Sequence, residues 1–409
     1  MSYREYDSAR DRQAVRRIFQ EVGWLKDEHP DAIEWFVEEG RGLVADVDGA
    51  AEAVAVTAPG TVRYLRDDLS LCCVAAVATS RVARRRGLAG ELTAAAIALD
   101  AADGAAVAGL GMFDQGFYNR LGFGTGAYVR ENTFDPAALQ VEPARRAPRR
   151  LTKDDWAIMH ENRLQRRLAH GSCTVVAAST RFETALSPHG FGLGFLDGPG
   201  GGLSHHLWLA VPQDVEYGPY RVKWMAWQTR GQFLELLGVL KGLGDQVHGI
   251  MMIDPPDIHM QSLLRRPFRT KRLTEEGTYA ARAISLSWWQ MRICDLPACL
   301  AKTKVPGGEV RFNLMLTDPI ARFLGDDAPW CGVAGEYVAT IGASSGAQRG
   351  ADDALPTMTA SVGAFTRLWL GVGPATGLAI TDDLAAPADL LAQLDGVLRL
   401  PAPQPDWEF

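Results

Sequence analysis

The stretch from Leu71 to Leu110 constrains the fold more than any other part of the sequence. Leu71–Thr79 is a run of small and β-branched residues bounded by polar sequence, and it predicts a buried strand. A basic turn follows: Ser80-Arg81-Val82-Ala83-Arg84-Arg85-Arg86-Gly87-Leu88-Ala89-Gly90. Leu88–Asp103, rich in Ala and Leu, predicts a helix with Leu88, Leu92, Ala95 and Leu99 on one face and Gly104 as its stop. Ala105–Leu110 is the next strand. Strand, glycine-containing turn and helix start form an arrangement that binds phosphate, because the first-turn N–H groups lack intrahelical partners and the dipole end is positive. Gly87, Ala89 and Gly90 have little or no side chain, so a pyrophosphate can approach their backbone. Three consecutive arginines at a helix start oppose the macrodipole, which favours carboxylates there. An anionic ligand explains them, since the guanidinium fork suits phosphate; the charge run alone leaves a solvated basic turn open as the alternative.

A chain of 409 residues exceeds what one hydrophobic core usually serves, which predicts two or three domains. Apolar residues at 47% and charged residues at 22% fit a globular chain and exclude general disorder. No stretch approaches the ~18–20 consecutive apolar residues of a membrane span, and the start MSYREYDSARDRQ lacks the apolar core of a signal peptide, so the expected location is cytoplasmic. Cys72, Cys73, Cys173, Cys294, Cys299 and Cys331 show no paired metal spacing and are expected to be reduced; adjacent Cys72 and Cys73 should face opposite sides of a strand, as should His205 and His206. No metal is expected. The net charge of −7 argues against a general nucleic-acid binder and is compatible with a cationic substrate.

Along the chain, residues 9–21 and 31–39 predict helices, and 42–46 and 51–57 predict strands around an Asp48-Gly49 turn. VEPARRAPRR at 141–150 predicts a linker. Gln232–Leu243 predicts a helix, Gly249–Ile253 a strand, and the glycine cluster Gly198–Gly202 a hairpin loop. Residues 291–400 read as strand-rich, ending in a helix over Pro387–Leu398.

Arg84-x-x-Gly87-x-Ala89 after a strand resembles the Arg/Gln-x-x-Gly-x-Gly/Ala signature of the GNAT acetyltransferase superfamily, and Gly116-Phe117-Tyr118-Asn119-Arg120-Leu121-Gly122-Phe123-Gly124 resembles its FYxxxGF segment. Over nearly the whole chain the sequence resembles the enhanced-intracellular-survival (Eis) acetyltransferases. Residues 214–256, with Tyr220-Arg221-Val222-Lys223-Trp224 and Asp254-Pro255-Pro256, look like their middle domain; residues 291–400, with Met291-Arg292-Ile293, Leu316-Thr317-Asp318-Pro319 and Leu368-Trp369-Leu370-Gly371, look like their third. The resemblance implies an α/β (α+β) chain: tandem GNAT-like domains with mixed central sheets and a C-terminal sterol-carrier-like α/β domain. The expected domains are 1–147 with the acetyl-CoA site, 148–290 GNAT-like without a coenzyme site, and 291–409 sterol-carrier-like with the catalytic C-terminus.

The resemblance further implies an acetyl-CoA-dependent N-acetyltransferase. The donor would be held by Val77, Ala78, Thr79, Arg84, Arg85, Arg86, Gly87, Leu88, Ala89, Gly90, Phe113 and Asp114, although Phe113 stands where the family often has a small polar residue. Tyr118 would protonate the departing thiolate, N–H groups near Val77–Thr79 would polarise the thioester carbonyl, and the terminal carboxylate at Phe409 would be the general base. The implied acceptors are aminoglycosides, polyamines or lysine side chains, and the implied assembly is a hexamer. Asp27, Glu28, Glu34 and Glu408 are candidates for attracting a polycation. Pro401, Pro403 and Pro405 bias the tail toward an extended form, with Trp407 and Phe409 as apolar anchors. Two other classes remain open: a lipid or hydrophobic-ligand carrier built on the C-terminal domain, and a module that holds coenzyme A without turnover.

Overall fold

The chain has an α/β fold built on three mixed sheets of eight, seven and five strands; the structure, a computed structural model, describes residues 3–25, 29, 32–265 and 280–408. It begins with β1 (Tyr3–Glu5), α1 (Ser8–Glu21), α2 (Ala32–Glu39), β2 (Arg41–Val47), β3 (Ala50–Tyr64), β4 (Asp67–Thr79), α3 (Leu88–Ala102), β5 (Val107–Gly111), α4 (Gln115–Asn119) and β6 (Gly124–Thr125). The β2–β3 turn uses positive φ at Asp48 (53°) and Gly49 (87°), as the Asp-Gly signal predicts. β3 and β4 run longer than their sequence patterns suggest. Pairing continues past Pro59 and Gly60 to Tyr64↔Asp67, closed by Leu65 at φ 53°.

Two compact units divide the chain. One comprises 1–127, 170–176 and 287–409; the other comprises 128–169 and 177–286. In the first, the large sheet runs β1-β2-β3-β4-β5, then the strand Trp289–Ile293, then β6, with Cys173–Val175 pairing β3. A strand from far along the chain thus completes the sheet beside β5, which no local pattern announces. Adjacent cysteines in β4 do face opposite sides: Cys72 lies in the core under α3 with Leu92, Ala95 and Leu110, Cys73 in the core with Trp289 and Phe312. Five of the six cysteines are buried, Cys331 is exposed, and all are free.

The same unit holds the five-stranded sheet, with Val310–Thr317 at its centre between Gly335–Ile341 and Thr357–Ser361. Helices Leu296–Ala301, Val362–Leu370, Ala375–Thr381 and Ala388–Val397 interleave with these strands, so the region is more helical than its sequence pattern suggests, and Gly396 sits inside the last helix. Phe312, Leu314, Met358, Phe365, Trp369 and Leu394 fill its core.

The second unit is a seven-stranded sheet in which Tyr220–Ala226 and Ile250–Ile253 form the one parallel pair, joined by the helix Arg230–Gly242. Val129–Phe134 is an inner strand of this sheet, so the chain enters the second unit ahead of the basic, proline-containing stretch at 141–150. The glycine cluster forms the loop between strands Phe191–Phe195 and His205–Ala210, as expected.

Candidate active site

In the first unit, β4 and β5 pair in parallel over only four residues, from Leu71↔Val107 to Val74↔Leu110. Beyond that point β4 continues while β5 ends. On the β3 side, Val56 faces Ala76 and Thr57 faces Val74, so Ala75 is a bulge placed where the β4–β5 pairing stops. Residues 76–79 therefore pair with β3 alone, and their edge toward β5 has no strand partner among the described residues. Free backbone donors and acceptors at such an edge invite an extended ligand.

β4 delivers the chain into the arginine turn. Ser80 is fully buried and its N–H donates to Glu52 O at 2.9 Å; the Arg81 N–H donates to Glu21 Oε2 at 2.7 Å, which ties the turn to the end of α1. That N–H, and then the Arg17 guanidinium, hold the Glu21 carboxyl below its usual range. Arg85 and Gly87 adopt positive φ (64° and 85°), and Gly87 begins α3 with no side-chain cap. The N–H groups of Leu88 and Ala89 thus stay available to a ligand, while the Gly90 N–H donates to Gly87 O at 3.0 Å. Arg84, Arg85 and Arg86 are exposed and have no ion-pair or hydrogen-bond partner among the described residues. Three unpartnered guanidiniums beside a positive helix end suit an anionic ligand.

These pieces line one cleft of about 1040 Å³, walled by Val77, Ala78, Thr79, Arg84, Arg85, Arg86, Gly87, Leu88, Ala89, Gly90 and Phe113. Val22, Trp24, Ala83, Phe117, Arg120 and Phe323 also line it. Phe117 and Arg120 were within reach of the FYxxxGF pattern; Trp24 and Phe323 lie in stretches with no signal at all. Asp114 is outside the lining. Its carboxylate caps α4, accepting from the Gly116 N–H at 2.8 Å.

Tyr118 stands behind the cleft wall, only 4% exposed, edge-on to Phe117 (4.9 Å between centroids) and to Phe113 (5.7 Å), while Phe113 itself is 67% exposed. Its hydroxyl makes no hydrogen bond to a described residue. Burial pushes the phenol well above its ordinary value. The loop after Tyr118 is tightly built. Gly122, at φ 83°, has no room for a side chain: a Cβ would sit 2.6 Å from Val362 and 2.9 Å from Arg292 Nη1. Arg292 donates to Leu121 O and pairs with Asp318 at 2.6 Å, both side chains fully buried. That pair locks the loop carrying Tyr118, and breaking it by removing one partner would leave a buried charge.

No family model and no curated protein matches the sequence. Solved structures do match, over the full length. A probable N-acyltransferase of unknown function from Enterococcus faecalis superposes with a TM-score of 0.77 at 16% identity, covering 100% of this chain and 99% of that one. A GCN5-related N-acetyltransferase from Anabaena variabilis gives 0.79 at 14%, covering 100% of both. Eis1 from Mycobacterium abscessus gives 0.76 at 16%, again covering 100% of both. The fold is that of the Eis-like GNAT N-acetyltransferases.

Within that fold, the second unit repeats the strand–helix–strand crossover with a side-chain-capped helix start. Thr229 Oγ1 accepts from Gln232 N–H, and Gln232 Oε1 accepts from the N–H groups of Gln228 and Thr229. This capping box satisfies the Gln228, Thr229 and Gln232 N–H groups with side chains, a cap that α3 lacks. The histidines of that unit diverge as expected: His205 Nε2 lies 3.1 Å from Glu235, whereas His206 Nδ1 faces Asn162. Asp197, His205 and Glu235 converge closely enough to suggest a metal, but Arg146 already bridges the two carboxylates, at 2.8 Å to Asp197 Oδ1 and 2.7 Å to Glu235 Oε1.

Of the expected acceptor-attracting acids, Asp27 and Glu28 lie outside the described residues. Glu34 is buried and committed to Tyr6, to Ser8 at 3.1 Å and to Arg12 at 3.7 Å, which leaves it unavailable. Glu408 is exposed. Phe409 lies outside the described residues. The tail before it is extended, with Pro403, Pro405 and Trp407 buried in alternation.

Proposed function

We propose that the first unit is an acetyl-CoA-dependent N-acetyltransferase acting on amines of a cationic acceptor. The observation that carries this is the unpaired edge of β4 leading straight into an uncapped helix start ringed by three free arginines. A thioester donor with a pyrophosphate fits both halves: its amide-containing arm suits the strand edge, its phosphates the turn. Arg84, Arg85 and Arg86 with the N–H groups of Gly87, Leu88 and Ala89 would hold the pyrophosphate. The edge at Val77–Thr79 would align the arm and polarise the thioester carbonyl. The acceptor amine attacks that carbonyl carbon, the C–S bond breaks, and Tyr118 gives its proton to the thiolate. Its raised phenol keeps that proton at neutral pH. An amine near pKa ~10 is mostly protonated at neutral pH, so a base is required. We place it at the terminal carboxylate of Phe409, working through a water. Localisation in the cytoplasm and assembly as a hexamer belong to the same proposal; no helix among the described residues is long and apolar enough to cross a membrane. A sterol-carrier-like role for the C-terminal segment gains no support from its cleft of about 730 Å³, whose walls include Asp318, Arg322, Arg367, Asp382 and Asp383.

The test is a thiol-release assay with acetyl-CoA across polyamines, aminoglycosides and lysine peptides; absence of release with every amine would refute the activity. Two further outcomes are expected. Arg84→Ala with Arg85→Ala should weaken acetyl-CoA binding by about 1–3 kcal/mol, roughly 5- to 150-fold, as charged hydrogen bonds to phosphate are lost. Unchanged affinity in calorimetry would remove the arginines from the donor site. Turnover should rise with pH as the acceptor amine deprotonates, and because the Tyr118 phenol is raised, no fall from its deprotonation should occur below about pH 10. A descending limb between pH 8 and 9 that vanishes in Tyr118→Phe would contradict this.

A further inference from the structure

We infer that Phe323, from the C-terminal part of the first unit, is the stacking platform for the purine base of the donor, so that this segment reads the nucleotide end of coenzyme A. The inference rests on reading the cleft as a coenzyme A site. Phe323 lines that cleft although it is far from the arginine turn in sequence. It reaches the turn because Gly90 has no side chain: a Cβ there would meet the Phe323 ring at 3.3 Å. The ring is half-buried, supported on one side by the core under α3 and open on the other. Its backbone is a short 3-10 turn, Pro319–Phe323, held rigidly at its start. Asp318 accepts from Ile320 N–H at 3.2 Å, from Val333 N–H at 2.9 Å and from Arg292 at 2.6 Å, and Ile320 is fully buried. An aromatic ring held this firmly at a cleft wall loses little entropy on binding a flat partner.

The direction of the donor selects the base as that partner. Phosphates at the arginine turn fix the middle of the molecule. The thioester arm takes the gap between β4 and β5. A nucleoside leaving the turn the other way runs along the first turn of α3, where the Phe323 ring packs over the buried Gly90 and lines the cleft. Purine faces stack on aromatic rings whatever their hydrogen-bond pattern, so a single phenyl ring with no polar partner suffices.

Binding of three probes to the full-length chain tests this: coenzyme A, adenosine 3′,5′-bisphosphate and inorganic pyrophosphate. Phe323→Ala should raise the Kd for coenzyme A and for the bisphosphate roughly 5- to 100-fold, the range for one lost base stack. It should leave pyrophosphate binding unchanged, and Phe323→Tyr should restore wild-type affinity for all three. Equal losses for pyrophosphate and the nucleotides would show that Phe323 only braces the turn, which overturns the inference. Unchanged nucleotide affinity in Phe323→Ala, with the wild type binding coenzyme A, overturns it while the cleft assignment stands. A wild-type chain that binds none of the three overturns the cleft assignment, and the platform falls with it.

Discussion

Tyr118→Phe should lower turnover about 10²–10⁴-fold while leaving acetyl-CoA affinity nearly unchanged. The size follows from the role: loss of a positioned proton donor costs that much in general acid catalysis, and phenylalanine keeps the ring that packs against Phe113, Phe117 and Phe123. The fold should be untouched for the same reason, since the hydroxyl makes no hydrogen bond to a described residue. Deleting it strands no partner and opens no cavity of consequence. Tyr118 lies behind the cleft wall, and the ring between it and the cleft is Phe113, two-thirds exposed. Single-turnover kinetics isolate the chemical step and calorimetry with coenzyme A isolates binding. Normal single-turnover rates in Tyr118→Phe would mean that water or another group protonates the thiolate.

The parts of the site that were legible in the sequence are those encoded within one continuous stretch. The strand, the arginine turn and α3 each carry their own local signal, and Cβ-less positions at Gly87 and Gly90 follow from what an anion needs. What escaped was set by distance along the chain. The strand Trp289–Ile293 closes the sheet beside β5, and its Arg292 locks the Tyr118 loop through Asp318, yet a buried arginine in an apolar run looks like an ordinary exposed charge until its partner is known. Phe323 reads as one more apolar residue in a loop; only the missing side chain of Gly90, far away, gives it access to the turn. Asp114 lies outside the cleft lining, with its carboxylate turned to α4. A carboxylate two residues before a glycine is a helix cap more readily than a ligand contact, and the α4 start uses it that way. Long-range pairing also sets the unit boundaries: Val129–Phe134 pairs with Ile250–Ile253 in the second unit, and Trp289–Ile293 with β5 in the first.

Trp407→Ala should abolish acetylation and still leave coenzyme A bound. Trp407 is 1% exposed and belongs to the core that contains Tyr64, Trp369 and Cys173. Large-to-small change at such a site costs about 3–5 kcal/mol. The other named tail contacts are individually smaller. Gln404 N–H donates to His170 O at 3.0 Å and Cys173 N–H to Asp406 at 3.2 Å, bonds worth about 1 kcal/mol each in net terms. Gly171, at φ 86°, lets Pro403 and Gln404 lie directly on its Cα, a contact that orients the tail. With the tryptophan gone the tail should detach before the sheet unfolds, because it adds no strand to the sheet. Limited proteolysis should then cut near Pro401–Glu408 in the variant and not in the parent. The cleft is lined by Val22, Trp24, residues 77–79 and 83–90, Phe113, Phe117, Arg120 and Phe323 and includes no tail residue, so its affinity should persist. Chemistry should not, since a base carried at the end of the tail would no longer be held at the amine. If the proteolysis shows a released tail while thiol release continues at the parental rate, the tail supplies no group to the reaction and the base must be sought among residues of the sheet.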